Sequence, residues 1–310
     1  MHSKIISAII VFFVCTGMVT GQDTSSFMSQ LQKEASLNEI VYTTATFKST
    51  RIINGHSVET LPAHVLDLRI SHRFGPLSSG IYNFFGLDNA TMRLGFDYGI
   101  TNNIMIGIGH STYQKTYDGF LKIKLLRQSS GKVNIPASVT FLSSIAINSL
   151  KPRDYAVKPD SGVSINRKSY VLQLLIARKF SPHFSLQLMP TFIHTDNISF
   201  LHPEPTMFAM GIGCRQALSK KISVNGEYYY QIGDKLSGTH NVLSFGIDIG
   251  TGGHVFQLHF TNSIGLIEKS FITETTGRWD KSDVLFGFNI SRVFQLKKAA
   301  KLQSKQHGSK

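Results

Sequence analysis

The chain has 310 residues, with 32 Lys and Arg against 19 Asp and Glu, for a formal net charge of +13. That length can bury a large core without disulfides, and beyond the N-terminus no apolar run approaches the roughly 20 residues a membrane helix needs, which excludes a helical membrane protein. Nor does the charge indicate nucleic acid: five lysines follow Phe294 and Lys4 precedes the first apolar run, which leaves +7 for the body, and no recognition motif accompanies them.

In chain order, residues 1–21 have the pattern of a cleaved export signal: Lys4, an apolar run from Ile5 to Val14, and Val19-Thr20-Gly21 before Gln22. Cleavage would remove Cys15 and leave Cys214 alone, so no intrachain disulfide could form. Residues 22–61 are predicted to form an N-terminal periplasmic or plug segment, with 23–39 a polar helix or lead-in. Its β-prone run, Thr43 to Phe47, lacks an apolar face able to meet lipid. A thirteenth wall strand there would also put the chain ends on opposite sides.

From 62 to 296 the pattern changes. Twelve segments alternate apolar with polar or small residues: 63–74, 89–100, 103–113, 118–127, 136–148, 169–180, 183–194, 206–217, 221–231, 242–250, 254–263 and 284–294. In the second, Met92, Leu94, Phe96, Tyr98 and Ile100 share one face, and Arg93, Gly95, Asp97 and Gly99 the other. Such strands suit a wall between lipid and a wet interior, at about 9–11 residues per span. Tight turns alternate with longer loops, as in outer-membrane barrels with short periplasmic turns. The connections 114–117 and 128–135 break that rule. The fold expected is all-β, a closed antiparallel transmembrane barrel of about 12 strands with an N-terminal plug or cap. Residues 297–310 read as a basic, disordered tail.

The predicted inner face carries Arg69, Arg73, Arg93, Lys122, Lys124 and Arg215 with Asp67, Asp97, Glu227 and Asp248. One reading is a basic pore lining that selects anions. The other, which limited lumen space favours, is a network of ion pairs. In the plug segment Lys48, Arg51, His56 and Glu59 are candidate gate or ligand residues, or simple anchors to lumen charges. Val171, Leu175, Ala177 and Leu142 fall on the inner face against the pattern; either the lumen is partly dry there or the register is displaced.

At this point three stretches resemble a known family: Thr46 to Thr60 (TFKSTRIINGHSVET), Asp67 to Gly75 (DLRISHRFG) and Tyr113 to Gly119 (YQKTYDG). They resemble the Bacteroidetes β-barrel family of unknown function DUF5777, over about Thr43 to Phe294. The resemblance implies an outer-membrane location and carries over no substrate or catalytic residue.

The function expected is a narrow pore or transporter for a small solute, with anions the class the basic residues point to. A non-conducting structural or partner-binding barrel is the second reading, and an outer-membrane hydrolase the third. For the third, His110-Ser111 is the one adjacent pair of suitable types, but neighbours in a strand face opposite ways, and no Gly-x-Ser-x-Gly is present. The twelve histidines are scattered, without metal-ligand spacing, so no metal or cofactor is expected. The partners expected are outer-membrane lipid, the barrel-assembly machinery (for which Phe286 to Phe294 would be the closing signal), and a small solute.

Overall fold

The computed structural model describes residues 39–151, 168–196, 206–233 and 238–297. Twelve strands form one closed antiparallel barrel. They are β1 (Val65–Pro76), β2 (Ala90–Gly99), β3 (Ile104–Ser111), β4 (Thr116–Leu126), β5 (Ser138–Asn148) and β6 (Lys168–Lys179), followed by β7 (Phe184–Thr195), β8 (Thr206–Ala217), β9 (Ile222–Ile232), β10 (Val242–Thr251), β11 (His254–Thr261) and β12 (Leu285–Gln295). Each pairs with its chain neighbours, and β12 closes on β1 with Phe294 opposite Leu66. Closure leaves no edge whose backbone groups would face hydrocarbon unpaired.

Alternation sets the two surfaces. Along β2, Met92, Leu94 and Phe96 are exposed while Thr91, Arg93 and Asp97 are buried inside. Leu142, Val171, Leu175 and Ala177 are likewise buried in the lumen, so the register is correct and the lumen has an apolar sector. The predicted signal segment, the predicted 23–39 lead-in up to residue 38 and the predicted tail beyond Lys297 lie outside the described residues.

Both irregular connections have structural reasons. Strand β4 begins at Thr116, two residues before its predicted start, so only Thr112 and the Tyr113–Lys115 turn join it to β3. At the opposite end, the long β4–β5 connection contains a short strand, Ser129–Gly131, that pairs with Ile40–Tyr42. The N-terminal segment is thus fastened to the barrel mouth just before it enters. The strand lies there and not over the β-prone run 43–47, which is irregular.

Residues 46–58 then form a hairpin inside the barrel. Arg51 bridges His56, Ser57 N donates to Thr50 O at 3.0 Å, and Ile52 N donates to Gly55 O at 2.9 Å. Phe47, Ile52, Ile53 and Val58 pack against Val171, Leu175, Met189, Ile193, Ala209 and Tyr229. The apolar inner residues of β6–β9 are the seat of the hairpin. At about 1.5–3 kcal/mol for each buried apolar side chain, this contact makes the seated hairpin the resting arrangement.

Gly55 is required at the tip because a Cβ there would stand 2.0 Å from the Tyr229 hydroxyl oxygen. Gly55→Ala is expected to unseat the hairpin by about 1–3 kcal/mol, the usual scale of overpacking. Adding Tyr229→Phe should recover part of it by removing the clashing atom. Protease protection of the hairpin in the folded barrel measures both effects.

Candidate functional site

The site is the hairpin and the lumen surface that grips it. Glu227 on β9 is the central contact. Its carboxylate accepts three consecutive backbone N–H groups, from Ile53 at 3.2 Å, Asn54 at 3.1 Å and Gly55 at 3.0 Å. A turn that points successive amides at one anion is a nest, here filled by a wall side chain. Around it Gln187 accepts from Val58 N at 2.7 Å and donates to His56 O at 2.7 Å. Gln257 and Asn289 donate to Ile52 O and Ile53 O at 2.9 and 3.0 Å.

The wall charges fall into two groups. Some pair within the wall. Arg93 holds Asp118 with two bonds, the Nε contact at 2.8 Å, in a groove where a Cβ on Gly109 would stand 2.3 Å from the guanidinium. Arg69 pairs with Asp67 at 3.0 Å, its Nε lies 4.0 Å from Asp97, and it also donates to Ser49 Oγ and Thr50 Oγ1 of the hairpin at 3.0 and 2.8 Å, so it belongs to both groups. Asp248 accepts from Gln257 at 2.9 Å.

The second group holds the hairpin. Lys122 Nζ donates to the carbonyls of Ser57 at 2.8 Å and Glu59 at 2.5 Å. Arg215 donates to Ala45 O at 3.1 Å and Thr46 O at 3.4 Å. Arg73 donates to Asn54 Oδ1 at 2.7 Å and to wall acceptors on Asn289 and His72. Among the described residues, no carboxylate forms an ion pair with any of these three cations. Lys124 is half-buried and lies 3.9 Å from Glu59.

The four hairpin residues picked from the sequence have separate places. Glu59 ties the base, accepting from Thr46 N at 2.8 Å. Lys48 donates outward to Lys220 O at 2.8 Å. Arg51 reaches the opposite half of the lumen and pairs with Glu268 at 3.1 Å, both buried. Glu268 opens a short helix, α1 (Glu268–Thr273), buried throughout. It belongs to the 262–284 connection, which folds into the barrel from the long-loop end. Phe271 of α1 packs edge-on against Tyr229 at 5.0 Å, so hairpin and helix meet inside the barrel. The cleft between Arg51, Asp118, Phe120 and Glu268 has a volume of about 10 Å³, about what a single water needs.

His56, in the hairpin and not in any wall strand, is fully buried. Burial and the nearby cations Arg51, Lys122, Arg93 and Arg69 hold its pKa well below 6.5. It is therefore neutral where it approaches Glu268 at 3.7 Å and meets Phe120 edge-on at 4.5 Å. The sign follows from proton counting: an unseated His56 titrates near 6.5 and the seated one does not. As pH falls through that value the unseated state gains a proton and is favoured, by at most about 1.4 kcal/mol per pH unit. Hairpin protection from protease should fall between pH 7.5 and 5.5, and His56→Asn should flatten the change.

Asp118, Glu268, Gln187, Gln257 and Asn289 escaped the sequence reading. Asp118 lay at a strand start set two residues late, and Glu268 lies in a loop whose inward fold has no local signal. His110 and Ser111 lie on opposite faces of β3, with His110 beside Tyr117 at 4.5 Å. Among the described residues, no three His, Cys, Asp or Glu side chains are grouped to hold a metal ion.

The chain is similar to two solved porins and to a solved outer membrane protein. A NanC porin aligns at 9% identity and TM-score 0.46, over 74% of this chain and 98% of its own. A KdgM porin aligns at 9% and 0.42, over 74% and 99%. Omp33 of Acinetobacter baumannii aligns at 9% and 0.38, over 74% and 98%. No curated protein matches the chain. The profile of the membrane bound beta barrel domain DUF5777 matches residues 47–294, across the whole barrel and most of the hairpin. With its lipid-facing belt and closed antiparallel wall, the protein is an outer-membrane β-barrel, and the chain belongs to the DUF5777 family.

Proposed function

We propose that the protein is a gated outer-membrane channel for small anionic solutes, with the 46–58 hairpin as its gate. The observation that carries this reading is the partner choice of Lys122, Arg215 and Arg73. These wall cations bind neutral oxygens of the 45–59 segment with no ion pair among the described residues, whereas Arg93 has a wall carboxylate and Arg69 has one besides its bonds to Ser49 and Thr50 of the hairpin. Withdrawing the hairpin takes Thr46 O from Arg215 near the turn end, Ser57 O from Lys122 within β4 and Asn54 from Arg73 near the loop end. On the acidic side Glu227 loses its three amide donors and Glu268 its partner Arg51, two carboxylates against three cations. Such an imbalance selects anions.

Withdrawal is topologically simple. Residues 45 and 59 both lie at the turn end, so the hairpin leaves as a loop without threading. The filled lumen favours a second reading, a non-conducting barrel, which predicts that hairpin removal leaves a sealed lumen.

Swelling of liposomes holding the chain without residues 46–58 separates the two. Carboxylate solutes should enter faster than cationic solutes of equal size. No entry of either, with a verified folded barrel, would favour the sealed barrel.

A further inference from the structure

The long-loop end of β10–β12 has a feature the gate does not use. The chain has one tryptophan, Trp279. It lies against Phe245 at 5.9 Å, edge to face, and its indole N–H donates to Leu243 O at 3.0 Å. One side of the ring opens on an apolar cleft of about 350 Å³ lined by Leu77, Phe245, Phe260, Ser282 and Val284. Phe245 and Phe260 are exposed members of the lipid-facing belt, and the row continues through Phe286 to Phe74 at ring separations of 5.5 and 5.8 Å. The cleft is thus continuous with the surface that acyl chains already cover.

The other side of Trp279 opens on a polar cleft of similar size, lined by His240, Asn241, Asn262, Arg278 and Asp280. Arg278 holds Asp280 in an exposed pair. Lys281 follows and makes no ion pair among the described residues. Cations therefore sit just beyond the belt, at the depth of lipid headgroups.

The neighbouring β1–β2 loop reinforces the assignment. It is fastened to the Trp279 loop by Leu77 N to Val284 O at 2.9 Å and Ser78 Oγ to Asp283 at 2.7 Å. From this anchorage it presents Ile81 and Tyr82, 81% and 92% exposed, with Phe84 and Phe85 beside them. Phe84 and Phe85 both adopt left-handed φ, 45° and 54°, a costly backbone for residues other than glycine. Apolar side chains held outward at such a cost suit an apolar surrounding.

We propose that Trp279 marks a binding site for an anionic outer-leaflet lipid, with an acyl chain in the apolar cleft and the charged headgroup over Arg278 and Lys281. A protein partner or a second copy fits less well, because the cleft merges with the lipid belt and the cations lie at its rim.

The single tryptophan makes the test local. The full chain is refolded into vesicles containing acyl-brominated phosphatidylglycerol or phosphatidylcholine over the same series of mole fractions, and Trp279 quenching is followed. The anionic lipid should reach half-quenching at a lower mole fraction, about fivefold for each contributing cation at roughly 1 kcal/mol apiece. Arg278→Gln with Lys281→Gln should abolish that preference while quenching itself persists. Leu77→Asp should weaken quenching by both lipids. Equal quenching by the two lipids in the unaltered chain, or loss of quenching through dimerisation at this face, would overturn the proposal.

Discussion

With Ser57→Cys as reporter in a Cys214→Ala background, Glu227→Ala is expected to raise the rate of labelling by a water-soluble thiol reagent about 100-fold. Ser57 is fully buried in the seated hairpin, so labelling counts excursions of the hairpin from its seat. Glu227 accepts all three tip amides, and hydrogen bonds to a charged group contribute about 1.5–3 kcal/mol each. Part of that gain offsets the cost of burying the carboxylate, so a net loss of about 3 kcal/mol is expected, or roughly two decades in population. Glu227→Gln keeps one acceptor oxygen and should fall between. An unchanged rate in Glu227→Ala would show that the apolar seat alone holds the hairpin and that the nest is incidental.

The second large effect concerns selectivity once the hairpin is gone. In the chain without residues 46–58, Lys122→Met and Arg215→Met are each expected to lower the anion-to-cation permeability ratio about fivefold, since a unit charge a few ångströms from a permeating ion in water contributes about 1 kcal/mol. The deletion removes Ser57 O from Lys122 and Thr46 O from Arg215, leaving Glu59 O and Ala45 O just outside it, and neither cation has an ion-pair partner among the described residues, so each keeps its charge facing the open lumen. The paired change Arg93→Met with Asp118→Asn is the control. Those two already neutralise each other within the wall, and removing both should leave the ratio where it was. Reversal potentials in a salt gradient give all three values. Equal loss in the control would mean that general lumen polarity, not the unmasked cations, sets the preference.

The wall was almost fully legible in the sequence, because a strand's faces are decided by residues two apart. Met92, Leu94 and Phe96 against Arg93 and Asp97 suffice to orient β2 without any knowledge of its neighbours. Even the anomalous inner Leu142, Val171 and Leu175 were in correct register. Val171 and Leu175 meet Phe47, Ile52 and Ile53, and Leu142 meets Leu61, Val65, Met105 and Phe120, partners distant in the chain, which is why the sequence alone left a dry sector and a displaced register both open.

The charges behaved the same way. The inner-face residues could be named one by one, yet whether each cation meets a wall carboxylate or a hairpin carbonyl depends on pairings across the lumen. A network of ion pairs was the favoured reading for Arg93, yet its partner Asp118 was not among the acids named, because β4 begins two residues earlier than the pattern suggests. Glu268 could not be found at all by periodicity, since α1 is a single buried turn in a long connection. Lumen polarity is thus written locally, and lumen chemistry is not.

The most direct test of the gate is single-channel conductance in planar bilayers, comparing the intact barrel with the same chain lacking residues 46–58, both verified as folded. The gated-channel account predicts near silence from the intact protein, and steady, anion-preferring conductance from the shortened one. Silence from both would contradict it and leave a sealed barrel held together by its hairpin.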